Sequence, residues 1–157
     1  MSRVLLTGAT GFLGMEVLAR LLEAGDRDVH ALVRAGSKEA AEERLDGVLR
    51  KLWRDPAPYR GRVHALPGDL THGVAAPEEE IDVVCHCAAS IAFDLPLDEA
   101  RAINVEGTRE VVGFARECKL LGRLERFLHV DGGFHAMGTP LEGMDGTAER
   151  PLEEVEA

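Results

Sequence analysis

Aromatic side chains are scarce in this sequence: one Trp, one Tyr and five Phe, 4% of 157 residues. A core of normal size must therefore be aliphatic, built from Leu, Val and Ala. Positive charge is short as well, with 18 Lys and Arg against 28 Asp and Glu, a net charge of −10. That balance argues against a nucleic-acid partner, which takes a basic face. It leaves a phosphate ligand open, because local dipoles and one or two arginines decide such a contact. No apolar run is long enough to span a bilayer. The VLL near the N-terminus is too short for a signal-peptide core. Only three cysteines occur, Cys85, Cys87 and Cys118. An odd count without a secretion signal is expected as reduced thiols in a cytoplasmic protein. The length suits one domain with a real core.

The first fourteen residues, MSRVLLTGATGFLG, organise the rest. Arg3 to Thr7 reads as an apolar strand. Gly8, Gly11 and Gly14 follow at three-residue spacing, and Phe12 to Gly25 takes up a helical period. Strand, glycine turn and helix deliver a phosphate to a helix N-terminus, where unpaired N–H groups and the helix dipole meet it. Gly8 lets the chain leave the strand in a tight turn. Gly11 removes a Cβ so that a pyrophosphate can approach, and Gly14 lets the helix pack close to the strand. The pattern predicts a dinucleotide site.

Further along, Asp28 to Val33 reads as a second strand, ended by Arg34. Ser37 is placed to cap a helix from Lys38 to about Arg54, with Leu45, Val48, Leu49 and Leu52 on one face. Asp55-Pro56-Ala57-Pro58 stops it. Arg62 to Leu66 is a third strand, closed by Pro67 and Gly68, and Thr71 to Glu80 is a polar loop. Ile81 to His86 is a fourth strand whose continuous apolar run predicts burial on both faces. Leu97 to Ala102 and Val105 to Leu121 read as helices, the second ended by Gly122. Arg126 to Val130 is a fifth strand. Alternating strands and helices predict a three-layer α/β Rossmann-type fold, with parallel strands in the order 3-2-1-4-5. The ligand then lies above strands one and four. From Asp131 the pattern stops: five glycines, two prolines, and six acids against the single base Arg150 between Glu142 and Ala157. The expected division is a dinucleotide-binding domain over 1–131 and a disordered acidic tail over 132–157.

Arg34 stands where the second strand meets the adenosine ribose. A carboxylate there bonds the 2′-hydroxyl of NAD; an arginine accommodates the 2′-phosphate of NADP. Arg44 is a second candidate partner for that phosphate. Asp69, in Gly68-Asp69-Leu70, is placed to accept from the adenine amino group, or to serve as a turn aspartate. Cys87-Ala88-Ala89 follows strand four with small side chains that leave room for a cofactor. Cys85 and Cys87 share one strand face and read as buried thiols rather than a metal pair, since no second pair exists. His86 reads as a core or crevice histidine, and Trp53 and Tyr59 as packing residues.

TGATGFLG, LVRA, GDL, HCAA and NVEGT, in that order, resemble the extended short-chain dehydrogenase/reductase superfamily over about residues 3–130. TGATGFLG with LVRA and a following ERL is most similar to its thioester reductase and fatty acyl-CoA reductase branch. The resemblance implies NADPH-dependent reduction of an acyl thioester to an aldehyde or alcohol. It implies that Gly8, Thr10, Gly11, Phe12, Leu13 and Gly14 hold the pyrophosphate, and that Arg34 and Arg44 hold the 2′-phosphate. Asp69 and Leu70 would frame the adenine, Cys87, Ala88 and Ala89 would line the nicotinamide side, and Asn104 would tie a helix to the crevice or cap it.

The sequence departs from that family after strand five. A Ser or Thr is expected there and Asp131 is found; an ionised Asp accepts but cannot donate to an oxyanion. The family's Tyr and Lys, four residues apart, have no counterpart: the one Tyr is Tyr59 and the last Lys is Lys119. No catalytic residue is therefore assigned. The expectation is a truncated or frame-shifted reductase, ahead of a stand-alone NADP(H)-binding regulatory module or a chain completed by a partner. An NAD-dependent nucleotide-sugar epimerase or dehydratase fragment is a further alternative, and Arg34 weighs against it. The outer edge of strand five is expected to be open, inviting a homodimer or a partner chain.

Overall fold

The computed structural model describes residues 2–74, 77, 79–92 and 94–130. Five parallel strands form one sheet: β1 (Arg3–Thr7), β2 (Asp28–Val33), β3 (Val63–Pro67), β4 (Val83–His86) and β5 (Arg126–His129). Their order is β3-β2-β1-β4-β5, as the alternation of strands and helices predicts. α1 (Phe12–Glu23) and α2 (Lys38–Leu52) lie on one face with a core of Val4, Leu6, Leu18, Leu22, Val29, Leu45 and Leu49. α5 (Gly107–Leu120) covers the other face over Leu5, Ile81, Val84, Val111 and Ala115. Among the described residues the buried apolar ones are Leu, Val, Ala, Ile and Cys, with no aromatic ring, which is the aliphatic core that the aromatic scarcity requires.

The boundaries follow local chemistry. The Ser37 hydroxyl accepts from Ala40 N at 3.2 Å and starts α2. Gly122, at φ +73°, ends α5, and the following N–H of Arg123 closes onto the Cys118 carbonyl at 3.0 Å. Three details differ from expectation. Ala57–Arg60 forms a short helix, α3, where Pro56 and Pro58 read only as a stop; a proline at a helix start loses no hydrogen bond. Pro67 belongs to β3, paired with Val33, because an edge strand tolerates a missing donor. The two predicted helices after strand four are continuous: α4 (Leu97–Arg101) runs through a π-helical turn at Ala102–Glu106 into α5. Asn104 therefore does not cap a helix. Asp131 and the 132–157 tail lie outside the described residues.

Candidate dinucleotide-binding site

Parallel register brings the functional loops to one end of the sheet. Thr7 pairs with Leu32 and His86, and Val33 pairs with Pro67. The segments that follow, Gly8–Gly14, Arg34, Gly68–Leu70 and Cys87–Ser90, therefore all leave from the C-terminal strand ends. The strand order reverses between β1 and β4, with β2 and β3 laid down on one side of β1 and β4 and β5 on the other, which is where a ligand crevice forms in such sheets.

The glycine turn is fixed by close backbone contacts. Gly8 has φ +78°, and a Cβ on it would lie 2.7 Å from Ala88 N and 2.8 Å from Cys87 C. A Cβ on Gly14 would lie 2.0 Å from the Gly8 carbonyl oxygen. Gly8 thus admits β4's exit and Gly14 admits α1's first turn, one contact beyond the turn the sequence foresees for Gly8. Gly11 N donates to Gly8 O at 2.9 Å and Gly11 precedes α1 without offering a side-chain cap. The first turn of α1 carries no acid. Its N–H groups, at Phe12, Leu13 and Gly14, are left for an external acceptor, and the cradle fits a diphosphate. The Phe12 ring is 92% exposed, so this residue contributes its backbone. Thr10 lies half-buried within the turn.

Arg34 is exposed past β2, and Arg44 Nη1 donates to its carbonyl, so both predicted phosphate partners stand together. Asp69 lies across from them. Its Oδ1 accepts from Thr71 N at 3.0 Å and from the Thr71 hydroxyl at 2.9 Å, starting a single 3-10 turn at Leu70–His72. The Thr71 N–H holds this carboxyl below the usual range; burial opposes it, and the Thr71 hydroxyl and Arg34 add to it. Leu70 is buried, its Cβ 3.1 Å from where a Cβ on Gly107 would stand, so its side chain belongs to the core.

The residues missed by sequence reading are Thr7, Ser90 and Thr108. Thr7 and His86 are fully buried, with Thr7 Oγ1 2.6 Å from His86 Nδ1. Ala88 N donates to Thr7 Oγ1 at 3.2 Å, and Cys87 N to Thr7 O at 3.3 Å. His86 Nε2 is 3.0 Å from Thr108 Oγ1, which donates to Asn104 O at 2.8 Å. The Asn104 side chain accepts from Ser90 N at 2.7 Å and donates to Ser90 O at 3.0 Å, tying the helix to the crevice loop. Ala89, between these anchors, is exposed. Burial, with a smaller push from His129, lowers the His86 pKa from 6.5 to about 4. The thiols of Cys85 and Cys87 lie 3.8 Å apart on one face, as period two requires. The Cys87 contact, with burial second, pushes the Cys85 thiol up. The Trp53 and Tyr59 rings meet at a tilt with centroids 4.2 Å apart, beside the α2 core.

Residues 6–137 match the NAD-binding family model described as male sterility protein. The chain belongs to that family. Its sequence is 36% identical over 146 residues to mouse (Mus musculus) fatty acyl-CoA reductase 1, covering 83% of this chain and 28% of that protein. It is 34% identical over 148 residues to a nonribosomal peptide synthetase-like enzyme of Aspergillus fumigatus, covering 84% of this chain and 10% of that one. Among solved structures, it is similar to the terminal R domain from the myxalamid PKS-NRPS biosynthetic pathway. There the TM-score is 0.71 at 32% identity, over 83% of this chain and 34% of that one. The reductase domain of a Mycobacterium tuberculosis nonribosomal peptide synthetase gives 0.67 at 30%, over 83% and 33%. The chain thus spans about a third or less of these relatives. The shared part is the nicotinamide-dinucleotide-binding fold, and among the described residues no helix is long and apolar enough to cross a membrane.

Proposed function

We propose that these residues are the NADP(H)-binding part of a reductase of acyl thioesters, with a CoA- or carrier-bound acyl group as the substrate class. Arg34 carries the choice of NADP. It stands at the end of β2 with Arg44 on its carbonyl, where a carboxylate would favour NAD. The bound coenzyme supplies a hydride. The chain's own part is to seat the diphosphate on the first-turn amides of α1, the 2′-phosphate on Arg34 and Arg44, and the adenine beside Asp69. Gly8, Thr10 and Gly11 shape the seat, and Cys87, Ala88 and Ala89 border its nicotinamide side. The relatives named fatty acyl-CoA reductase and R domain support the substrate class.

Titration calorimetry of NADP⁺ and NAD⁺ into the 157-residue chain tests this reading. A charge-assisted contact of roughly 1.5–3 kcal/mol gives about a ten- to hundredfold preference for NADP⁺, abolished in Arg34→Ala. Equal affinities would remove the assignment. A second reading, binding without turnover, is favoured by Tyr59: the single tyrosine packs on Trp53 against the α1 and α2 core. That reading expects no NADPH oxidation when an acyl-CoA is added to the purified chain. A cytoplasmic setting accords with either reading. The sheet ends at β5, which pairs only with β4 among the described residues. Leu128 and Val130 are exposed there, which supports association with a second copy or a partner chain.

A further inference from the structure

The hydrogen bonds around His86 are all satisfied by one arrangement of protons. A threonine hydroxyl has a single proton to give. Thr108 gives its proton to the Asn104 carbonyl, so at 3.0 Å it accepts from His86 Nε2. A neutral imidazole with its proton on Nε2 must accept at Nδ1, and the Thr7 hydroxyl donates there at 2.6 Å. Thr7 in turn accepts from Ala88 N. The order is Ala88 N–H to Thr7, Thr7 to His86, His86 to Thr108, Thr108 to Asn104, with each hydroxyl and each ring nitrogen given a partner. A second proton on His86 would turn Nδ1 into a donor, reverse its bond with Thr7, and leave the Thr7 hydroxyl proton without this acceptor. The ring's surroundings discourage that proton: it is fully buried, and the imidazole of His129 on β5 stacks on it at 5.1 Å.

The same bonds set the crevice wall. The Cys87–Ser90 segment is pinned at two points, Ala88 through Thr7 and Ser90 through the Asn104 amide. The pinned Cys87–Ala88 backbone is the surface that a Cβ on Gly8 would strike. Its position therefore sets the gap between the glycine turn and β4. His86 is the group that both pins share.

We propose that His86 is a positioning residue for the dinucleotide: as the uncharged Nε2–H tautomer, it joins Thr7 to Thr108 and so holds Cys87–Ser90 against the glycine turn. This rests on the dinucleotide reading of the site. It adds a requirement at a fully buried side chain that acts through the wall of the seat and does not line it.

The test cuts the chain at its far end. Thr108 is only half-buried, so its variants are expected to fold, which thermal melts verify. NADP⁺ is titrated into the 157-residue chain carrying Thr108→Val or Thr108→Ser. The isosteric Val removes the acceptor for Nε2 and weakens binding about tenfold, while Ser restores it to within about threefold. In ¹⁵N-histidine spectra of the unaltered chain, His86 shows a protonated Nε2 and a bare Nδ1 at neutral pH. Equal affinity of folded Val and Ser variants, or an Nδ1–H tautomer, overturns the proposal and leaves the dinucleotide reading intact. No binding by the unaltered chain overturns the dinucleotide reading itself, and this proposal with it.

Discussion

The Gly8 carbonyl oxygen occupies the space that a Cβ on Gly14 would need, 2.0 Å from it. Both partners are backbone, so neither can rotate away. Gly14→Ala must push α1 off the turn. Overpacking of this kind costs about 1–3 kcal/mol or more, and the shift takes the first-turn amides with it. The expected result is a lower unfolding midpoint together with loss of NADP⁺ binding.

Gly113 is the internal control. It is exposed within α5, and an added Cβ there meets nothing within 4 Å. Gly113→Ala is expected to stabilise the chain by about 0.5–1 kcal/mol through helix propensity, with binding unchanged. Urea melts of the two alanine variants should move in opposite directions.

Acid should weaken the fold through His86. Its native pKa is about 4 against 6.5 for an ordinary histidine. As the pH falls below 6.5 the unfolded chain takes up a proton that the native chain refuses until near pH 4, so stability is full above 6.5 and lost across that window. The total is roughly 3 kcal/mol, of which about 1.4 kcal/mol is gone one pH unit below 6.5. His30, also lowered chiefly by burial, acts in the same direction. Denaturant midpoints measured from neutral pH down to about one unit below 6.5 check the sign. A flat profile would contradict a neutral, buried His86.

Ser37→Ala removes the acceptor of the 3.2 Å bond from Ala40 N that starts α2. The expected cost is about 1 kcal/mol, a fall of roughly 2–4 °C in melting temperature. Arg44 sits two turns further along α2, so its contact with Arg34 should survive and NADP⁺ affinity should hold.

Much of this was legible in the sequence because the signals are local. Alternation in Asp28–Val33, the Ser37 cap, and glycines at 8, 11 and 14 each act within a few residues. Strand order followed from the chirality of parallel crossovers. The Thr7–His86–Thr108 chain was not legible. It joins residues 79 and 22 positions apart, which no local period records. Asn104 was open to misreading for a related reason. Its side chain can cap its own helix or bond elsewhere, and only the fold supplies Ser90 as the partner. Leu70 follows a motif aspartate yet turns inward, because Gly107 leaves room for it.

The central claim is that the turn from Gly8 to Gly14 seats a diphosphate. Backbone amide spectra of the ¹⁵N-labelled chain, recorded during titration with NADP⁺, test it most directly. The account predicts saturable shifts at Gly11, Phe12, Leu13 and Gly14, with Arg34 moving in step. Saturable shifts elsewhere that leave these amides unmoved, or no shifts at all, would contradict it.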